Sequence, residues 1–258
     1  MELIEYRDVA IQYEPGRPVV RDVNIAMKQG SITAFLGPNG SGKTTMMSAL
    51  NGMIRPCAGE ILVNGMNIVH MKRREMGRTI ACVPQFTTPS FSYTVADMVM
   101  WGRSPYISYK PKSEDYDIVR NALEQFKIGH LARKPFNSIS GGEKQLTLIA
   151  RAIVQDTPIV LMDEPATYLD LKNQVHILNL ILEIRDSRRT TFVITLHDPN
   201  HALYVADNVV LVHDGTAEIG PKHKAMTREN LESLYQISAS FIDRNYMTYM
   251  LPDFSRLQ

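Results

Sequence analysis

Gly37-Pro38-Asn39-Gly40-Ser41-Gly42-Lys43-Thr44 sets glycines, a lysine and a hydroxyl residue in the order G-x-x-x-x-G-K-[ST]. Phosphate chemistry needs each of these types. Glycines let backbone N–H groups turn inward around phosphate oxygens, and a helix starting at the loop's end adds partial positive charge. Lys43 is then placed to reach β- and γ-phosphates, and the Thr44 hydroxyl to hold Mg²⁺. The plainer alternative is a glycine turn beside a lysine. The apolar run Ile32 to Leu36 ahead and the helix-forming stretch Thr44 to Asn51 behind favour a phosphate loop.

A second requirement is a carboxylate for the metal at the end of a buried strand. Ile159-Val160-Leu161-Met162-Asp163-Glu164 supplies it, because ligands of open α/β sheets gather at the carboxyl ends of the strands. Asp163 would orient Mg²⁺ or its water, and Glu164 could accept a proton from an attacking water. The bland alternative is an acidic surface turn. Gln85 follows the short strand Thr79 to Val83, and His197 follows Thr191 to Leu196, so both fall at the same kind of strand end. His197 on its own could equally be a structural residue ahead of a helix opened by Asp198-Pro199. Ser140-Gly141-Gly142-Glu143 opens a further helix, which reads either as simple capping by Ser140 or as a second anion site.

The elements that must position these residues follow from the pattern. Tyr13 to Pro18 separates two strand-like pieces, and Asn64-Gly65 closes a hairpin after Glu60 to Val63. Between about 86 and 154 the chain turns helical. Thr94-x-x-Asp97 is a capping box, and Ser113 is placed to cap a helix with Tyr116, Val119, Leu123 and Phe126 on one face. Strands and helices then alternate: Ile159 to Met162, Leu171 to Glu183, Thr191 to Leu196, a helix from Pro199, and Val209 to Val212. Such alternation predicts an α/β core around a parallel sheet, with a helical insertion between two of its strands.

Composition narrows the function classes. The 258 residues carry 28 Lys+Arg against 27 Asp+Glu, a balance that argues against a nucleic-acid binder with a basic face. Apolar runs are strand-sized rather than the ~18–20 residues of a membrane span. Met1 to Glu5 has no basic, then apolar, leader pattern. Cys57 and Cys82 are too few for a disulfide framework or a zinc site. A reduced, globular protein is expected.

In this order and spacing the motifs resemble those of the nucleotide-binding subunits of ATP-binding cassette (ABC) transporters, over nearly the whole chain. The likeness makes Gly37 to Thr45 Walker A, Gln85 the Q-loop glutamine, and Ile139-Ser140-Gly141-Gly142-Glu143 the signature motif. Asp163-Glu164 then ends Walker B, Ala166-Thr167-Tyr168-Leu169-Asp170 is the D-loop, and His197 is the switch histidine. Tyr13 lies where the family has its adenine-stacking aromatic. The resemblance implies a phosphate-loop core with an N-terminal antiparallel β subdomain and an inserted α-helical subdomain. Its expected bounds are about 1–85 and 155–220 for the core, about 86–154 for the helical part and about 221–258 for a tail.

It further implies a head-to-tail homodimer with two ATP molecules at the interface. Gly37, Asn39, Gly40, Ser41, Gly42, Lys43, Thr44 and Thr45 would hold ATP from one side. Ser140, Gly141 and Gly142 of the other copy would close on the γ-phosphate, with Asp170 linking the two sites. Thr44, Gln85 and Asp163 would serve Mg²⁺, Glu164 would activate water, and His197 would steady the γ-phosphate. The signature has Ile139 and Glu143 in place of the commoner Leu and Gln, and the D-loop has Ala166 and Tyr168 where Ser-type residues are frequent.

Tyr93 to Tyr106, Val83-Pro84-Gln85-Phe86, Lys110 to Tyr116 and Met226 to Tyr235 are similar to importers of iron-siderophores, haem, cobalamin and molybdate or tungstate. That implies a separate transmembrane permease, an extracytoplasmic substrate-binding protein, no nucleic acid, and a place at the cytoplasmic face of the inner membrane. For Trp101 and Arg103, helix packing and surface charge are the plainer readings. A soluble cassette ATPase without a permease, serving cluster assembly or scaffolding, is the alternative.

Overall fold

The computed structural model describes residues 2–85, 91–167, 169–244 and 247–253. In chain order the strands and helices begin with β1 (Glu2–Glu14), β2 (Arg17–Lys28), β3 (Ile32–Leu36), α1 (Lys43–Leu50), β4 (Ala58–Val63) and β5 (Met66–Asn67). Next come α2 (Arg73–Thr79), β6 (Ile80–Val83), α3 (Val95–Met100), α4 (Ser113–Gln125), α5 (Gly141–Val154), β7 (Ile159–Asp163) and α6 (Leu171–Arg188). The last are β8 (Thr191–Thr195), α7 (Pro199–Val205), β9 (Asn208–His213), β10 (Thr216–Pro221), α8 (Lys222–Ala225), α9 (Arg228–Tyr235), β11 (Ala239–Arg244) and β12 (Met247–Pro252). They group into two units, residues 1–71 with 181–258, and residues 72–180.

In the first unit β1 pairs antiparallel with β2 and β4, and β4 with β5. Alternation along β1 turns Ile4, Tyr6, Val9 and Ile11 inward, and the Tyr6 hydroxyl donates to Met46 O at 3.0 Å, tying this sheet to α1. The second sheet of the unit has β3 parallel to β8 and β9, with β10 antiparallel on β9. All five residues of β3 and of β8 are buried, the apolar run expected of a parallel strand covered on both faces. Antiparallel β10 makes the observed sheet mixed.

The second unit holds the parallel pair β6 and β7, together with α3, α4 and α5 packed on one another. Thr94 caps α3 in the predicted capping box: its hydroxyl accepts from the Asp97 N–H at 3.1 Å, and Asp97 accepts from the Thr94 N–H at 3.0 Å. Two expectations for α4 need correction. The N-cap is Lys112, whose N–H is held by Asp115 at 2.9 Å, so Ser113 is the first helical residue. Tyr116 is 58% exposed, whereas Asp115 is buried beside Val119, Leu123 and Phe126. The cause is Arg103, which brings its guanidinium to Asp115 at 3.0 Å and to Val154 O at 2.8 Å, and lies over the Tyr106 ring at 4.2 Å. Arg103 is thus a buried clamp between α4 and the end of α5, and the surface-charge reading does not hold.

Among the described residues no helix is long and apolar enough to cross a membrane. Both cysteines are free, and burial pushes the Cys82 thiol up to about 12.

Candidate functional site

The carboxyl end of β3 delivers the chain straight into the glycine loop. A Cβ on Gly37 would lie 2.1 Å from Val212 O, so only glycine lets the loop leave the sheet this close to β9. Gly42 has φ 108° and would drive a Cβ to 2.5 Å from Val20 Cγ1. It is also the N-cap of α1 and offers no capping side chain, which leaves the first-turn N–H groups for another acceptor.

Lys43 is buried, its ammonium folded over the loop and donating to Gly37 O at 2.7 Å and Pro38 O at 2.9 Å. Ser41 Oγ is buried with no hydrogen-bond partner, whereas Asn39, Gly40 and Thr44 face solvent. A cradle that a Cβ would fill, an uncapped helix start, a lysine and an orphaned hydroxyl together fit a phosphate group. Tyr13 is 64% exposed, and its hydroxyl sits 3.1 Å from Oγ1 of buried Thr45 on α1. A tethered phenol with an open ring suits a stacking partner.

His197 follows β8, the parallel neighbour of β3, in the register Phe35↔Thr195. The Leu196 N–H donates to Phe35 O at 3.1 Å, so His197 and Gly37 leave the same edge of one sheet. Asp198 then caps α7 by accepting from the Asn200 N–H at 2.8 Å.

In the second unit β6 and β7 run parallel with Val83 opposite Met162, which puts Gln85, Asp163 and Glu164 at one end. The Gln85 Nε2 donates to Glu164 Oε2. Glu164 has φ 51°, a left-handed backbone immediately before Pro165. Such a conformation costs a non-glycine residue about 1–3 kcal/mol and clusters at functional sites.

Ser140 caps α5 with a full box. Glu143 accepts from the Ser140 N–H at 2.7 Å and from its hydroxyl at 2.8 Å. These bonds hold the Glu143 carboxyl below its usual range. The capping reading is therefore present, and Gly141 remains exposed. A Cβ on Gly142 would come within 2.7 Å of Asn173 Nδ2. Asn173 in turn donates its N–H to Asp170 Oδ1 at 2.8 Å and its amide to Oδ2 at 3.1 Å, so Asp170 caps α6. Tyr168, and Phe86 beside Gln85, lie outside the described residues. Among the described residues no three His, Cys, Asp or Glu gather into a metal cluster. Magnesium at such a site relies on a hydroxyl, one or two carboxylates and substrate phosphates.

The sequence reading missed Arg103–Asp115 and two features of the chain beyond α8, a contact and a buried hydroxyl. Asn200 and Met250 exchange hydrogen bonds between side-chain amide and backbone, and the Tyr235 hydroxyl is buried. An arginine in a helical run carries no sign of its burial, and Asn200 pairs with a residue 50 positions away.

Residues 20–167 match the family model described as ABC transporter. The chain belongs to the ABC transporter family. Its ATP-binding domains bind ATP with Mg²⁺ and hydrolyse ATP in step with transport, and so does this ABC ATPase. It is 35% identical to the molybdate import ATP-binding protein MolC of Haemophilus influenzae over 91% of this chain and 88% of the relative. It is 34% identical to the iron(3+)-hydroxamate import ATP-binding protein FhuC of Bacillus subtilis over 88% of this chain and 85% of that one. A solved metal-chelate type ABC transporter in an inward-facing conformation is similar at 32% identity and a TM-score of 0.88, covering 99% of both chains. The ABC ATPase therefore has the α/β cassette fold, with an antiparallel β sheet and a helical region, that the sequence led us to expect.

Proposed function

We propose that this ABC ATPase drives an importer for a metal chelate or an oxyanion, through a separate permease at the cytoplasmic face of the membrane. The observation that carries the reading is end-to-end similarity to a metal-chelate type transporter, 99% of each chain at a TM-score of 0.88. The relatives named for molybdate and iron(3+)-hydroxamate import point the same way.

In this reading Lys43, Ser41 and the loop N–H groups bind the phosphates, and Tyr13 stacks on the base. Thr44, Asp163 and Gln85 hold Mg²⁺, which neutralises phosphate charge when bound. Glu164 takes a proton from water as the water oxygen bonds to the γ-phosphorus and the bond to ADP breaks. His197 holds the γ-phosphate, and Ser140, Gly141 and Gly142 of a second copy donate to it across a homodimer, with Asp170 coupling the two sites. Lys43 exchanges its two carbonyl partners for phosphate oxygens, which keeps the buried ammonium hydrogen-bonded throughout.

A cleft of about 370 Å³ in the second unit, lined by Tyr93, Asp97, Met100, Trp101, Ile107 and Pro111, supports permease docking. Trp101 is 40% exposed and packs edge-on against Tyr93 with ring centroids 4.4 Å apart. Large, half-exposed aromatics in a pocket are the usual anchors of an interface. Fractionation of native cells tests this. The wild-type chain is expected in the membrane fraction with an integral membrane subunit, and Trp101→Asp is expected to shift it to the supernatant while ATP hydrolysis continues. A wild-type chain that stays in the supernatant with no membrane subunit favours the permease-free alternative.

A further inference from the structure

The first turns of α5 and α6 meet within the second unit, and one side chain lies between them. Gly142 is the second residue of α5 and is buried. Asn173 stands in the first turn of α6. A Cβ on Gly142 would lie 2.7 Å from Asn173 Nδ2, 3.0 Å from its Cγ and 3.3 Å from its Oδ1, so the whole amide rests against the bare Cα of the glycine. The same amide donates to Asp170 Oδ2 at 3.1 Å, while the Asn173 N–H donates to Asp170 Oδ1 at 2.8 Å.

Asp170 is itself held. The Gln174 N–H donates to Asp170 O at 2.9 Å, and the Gln174 side chain donates to Leu169 O at 3.0 Å. At the other end of the D-loop the Thr167 N–H donates to Glu164 O at 3.2 Å, closing a turn directly after the acid. Contacts therefore run from the first turn of α5, through the Asn173 amide, to Asp170 and back along the chain to Glu164. A side-chain amide can usually swing away from an intruding methyl. Here the swing would break the bond from Asn173 Nδ2 to Asp170, so a side chain at position 142 disturbs the D-loop as well as the helix start. The Gly142 N–H, second in its helix, has no intrahelical acceptor and is open to a ligand.

We propose that Asn173 is a positioning residue for ATP hydrolysis, its amide fixing the Gly142 backbone relative to Asp170. The N–H groups offered to one ATP and the Glu164 that serves the other then keep one spacing. The inference rests on the reading of Ser140 to Gly142 as the segment that closes on a second copy's γ-phosphate, and adds the side chain that sets its place.

Asn173→Ala removes the amide and keeps the backbone N–H that Asp170 accepts. It is expected to lower kcat about 5- to 20-fold through misplacement, with ATP affinity and the thermal midpoint unchanged, since the phosphate loop belongs to the other unit. Gly142→Ala keeps its N–H but drives a methyl into the amide, and a fall of the same order is expected. The double variant decides. With the amide gone the methyl meets nothing of residue 173, and kcat is expected to be no lower than in the poorer single variant. An unchanged kcat in Asn173→Ala, effects that multiply in the double variant, or a fall in kcat matched by a fall in thermal midpoint overturns the proposal. Ser140→Arg in a Glu164→Gln chain, scored for an ATP-dependent dimer by light scattering, separates the two readings. A dimer that still forms overturns the signature reading and with it the role given to Asn173. A lost dimer beside an unchanged kcat in Asn173→Ala overturns the role of Asn173 alone.

Discussion

Gly37 shows how little freedom a single position of the phosphate loop has. Its neighbour on one side is a backbone oxygen, Val212 O, only 2.1 Å from where a Cβ would sit, and a backbone carbonyl does not step aside as a flexible side chain would. Gly37→Ala must therefore push the loop off the edge of β3. Nucleotide affinity is expected to fall at least 100-fold, read by titration with a fluorescent ATP analogue, and unchanged affinity would show that the loop does not cradle phosphate. At this scale the sequence was legible because the loop's chemistry is local: G-x-x-x-x-G-K-[ST] lies on consecutive residues. Glu164 was legible as an acid after a buried strand. Its left-handed backbone and its hydrogen bond from Gln85 were not, since they depend on β6 lying beside β7.

At the scale of elements, capping and clamping decide how firmly α5 presents its N-terminus. The Ser140–Glu143 box satisfies N–H groups of the first turn and places a carboxylate against the positive end of the helix. Because the Glu143 carboxyl is held below its ordinary value, this contribution is complete at neutral pH and is lost as pH falls through the folded-state value. Ser140→Ala is expected to cost about 1 kcal/mol at pH 7. The difference in denaturant midpoint from wild type should shrink as pH falls below about 4; a constant difference would mean the carboxylate takes no part.

The other end of α5 is set by Arg103, which is paired with Asp115 at 10% side-chain exposure for each partner. Arg103→Ala leaves that carboxylate buried and unpaired, and unfolding measurements are expected to show a loss of about 3–5 kcal/mol. A loss under 1 kcal/mol would place the pair among surface bridges. Caps were readable from residue types at α3, as Thr94–Asp97 shows, but not at α4, where Lys112 and not Ser113 is the N-cap. The face of α4 was misread because Asp115 is buried only through a partner 12 residues away.

Across the whole molecule, the order of motifs was enough to name the family before any coordinate was known. Each motif sits at the end of a strand or the start of a helix that its own neighbours specify. The placement of the hairpin β11–β12 was not readable, because it is fixed by the pairing of Met250 with Asn200 on α7, 50 residues away, and not by local pattern. In the function proposed above, ATP closes two copies of the chain on each other and Glu164 then opens the way out by hydrolysis. Light scattering coupled to size exclusion on Glu164→Gln, with and without Mg-ATP, measures this directly. The predicted result is monomer without nucleotide and dimer with it, with Ser140→Arg added to the same chain abolishing the shift while ATP still binds. A Glu164→Gln chain that binds ATP and stays monomeric would contradict an ATP-closed dimer built by this subunit alone.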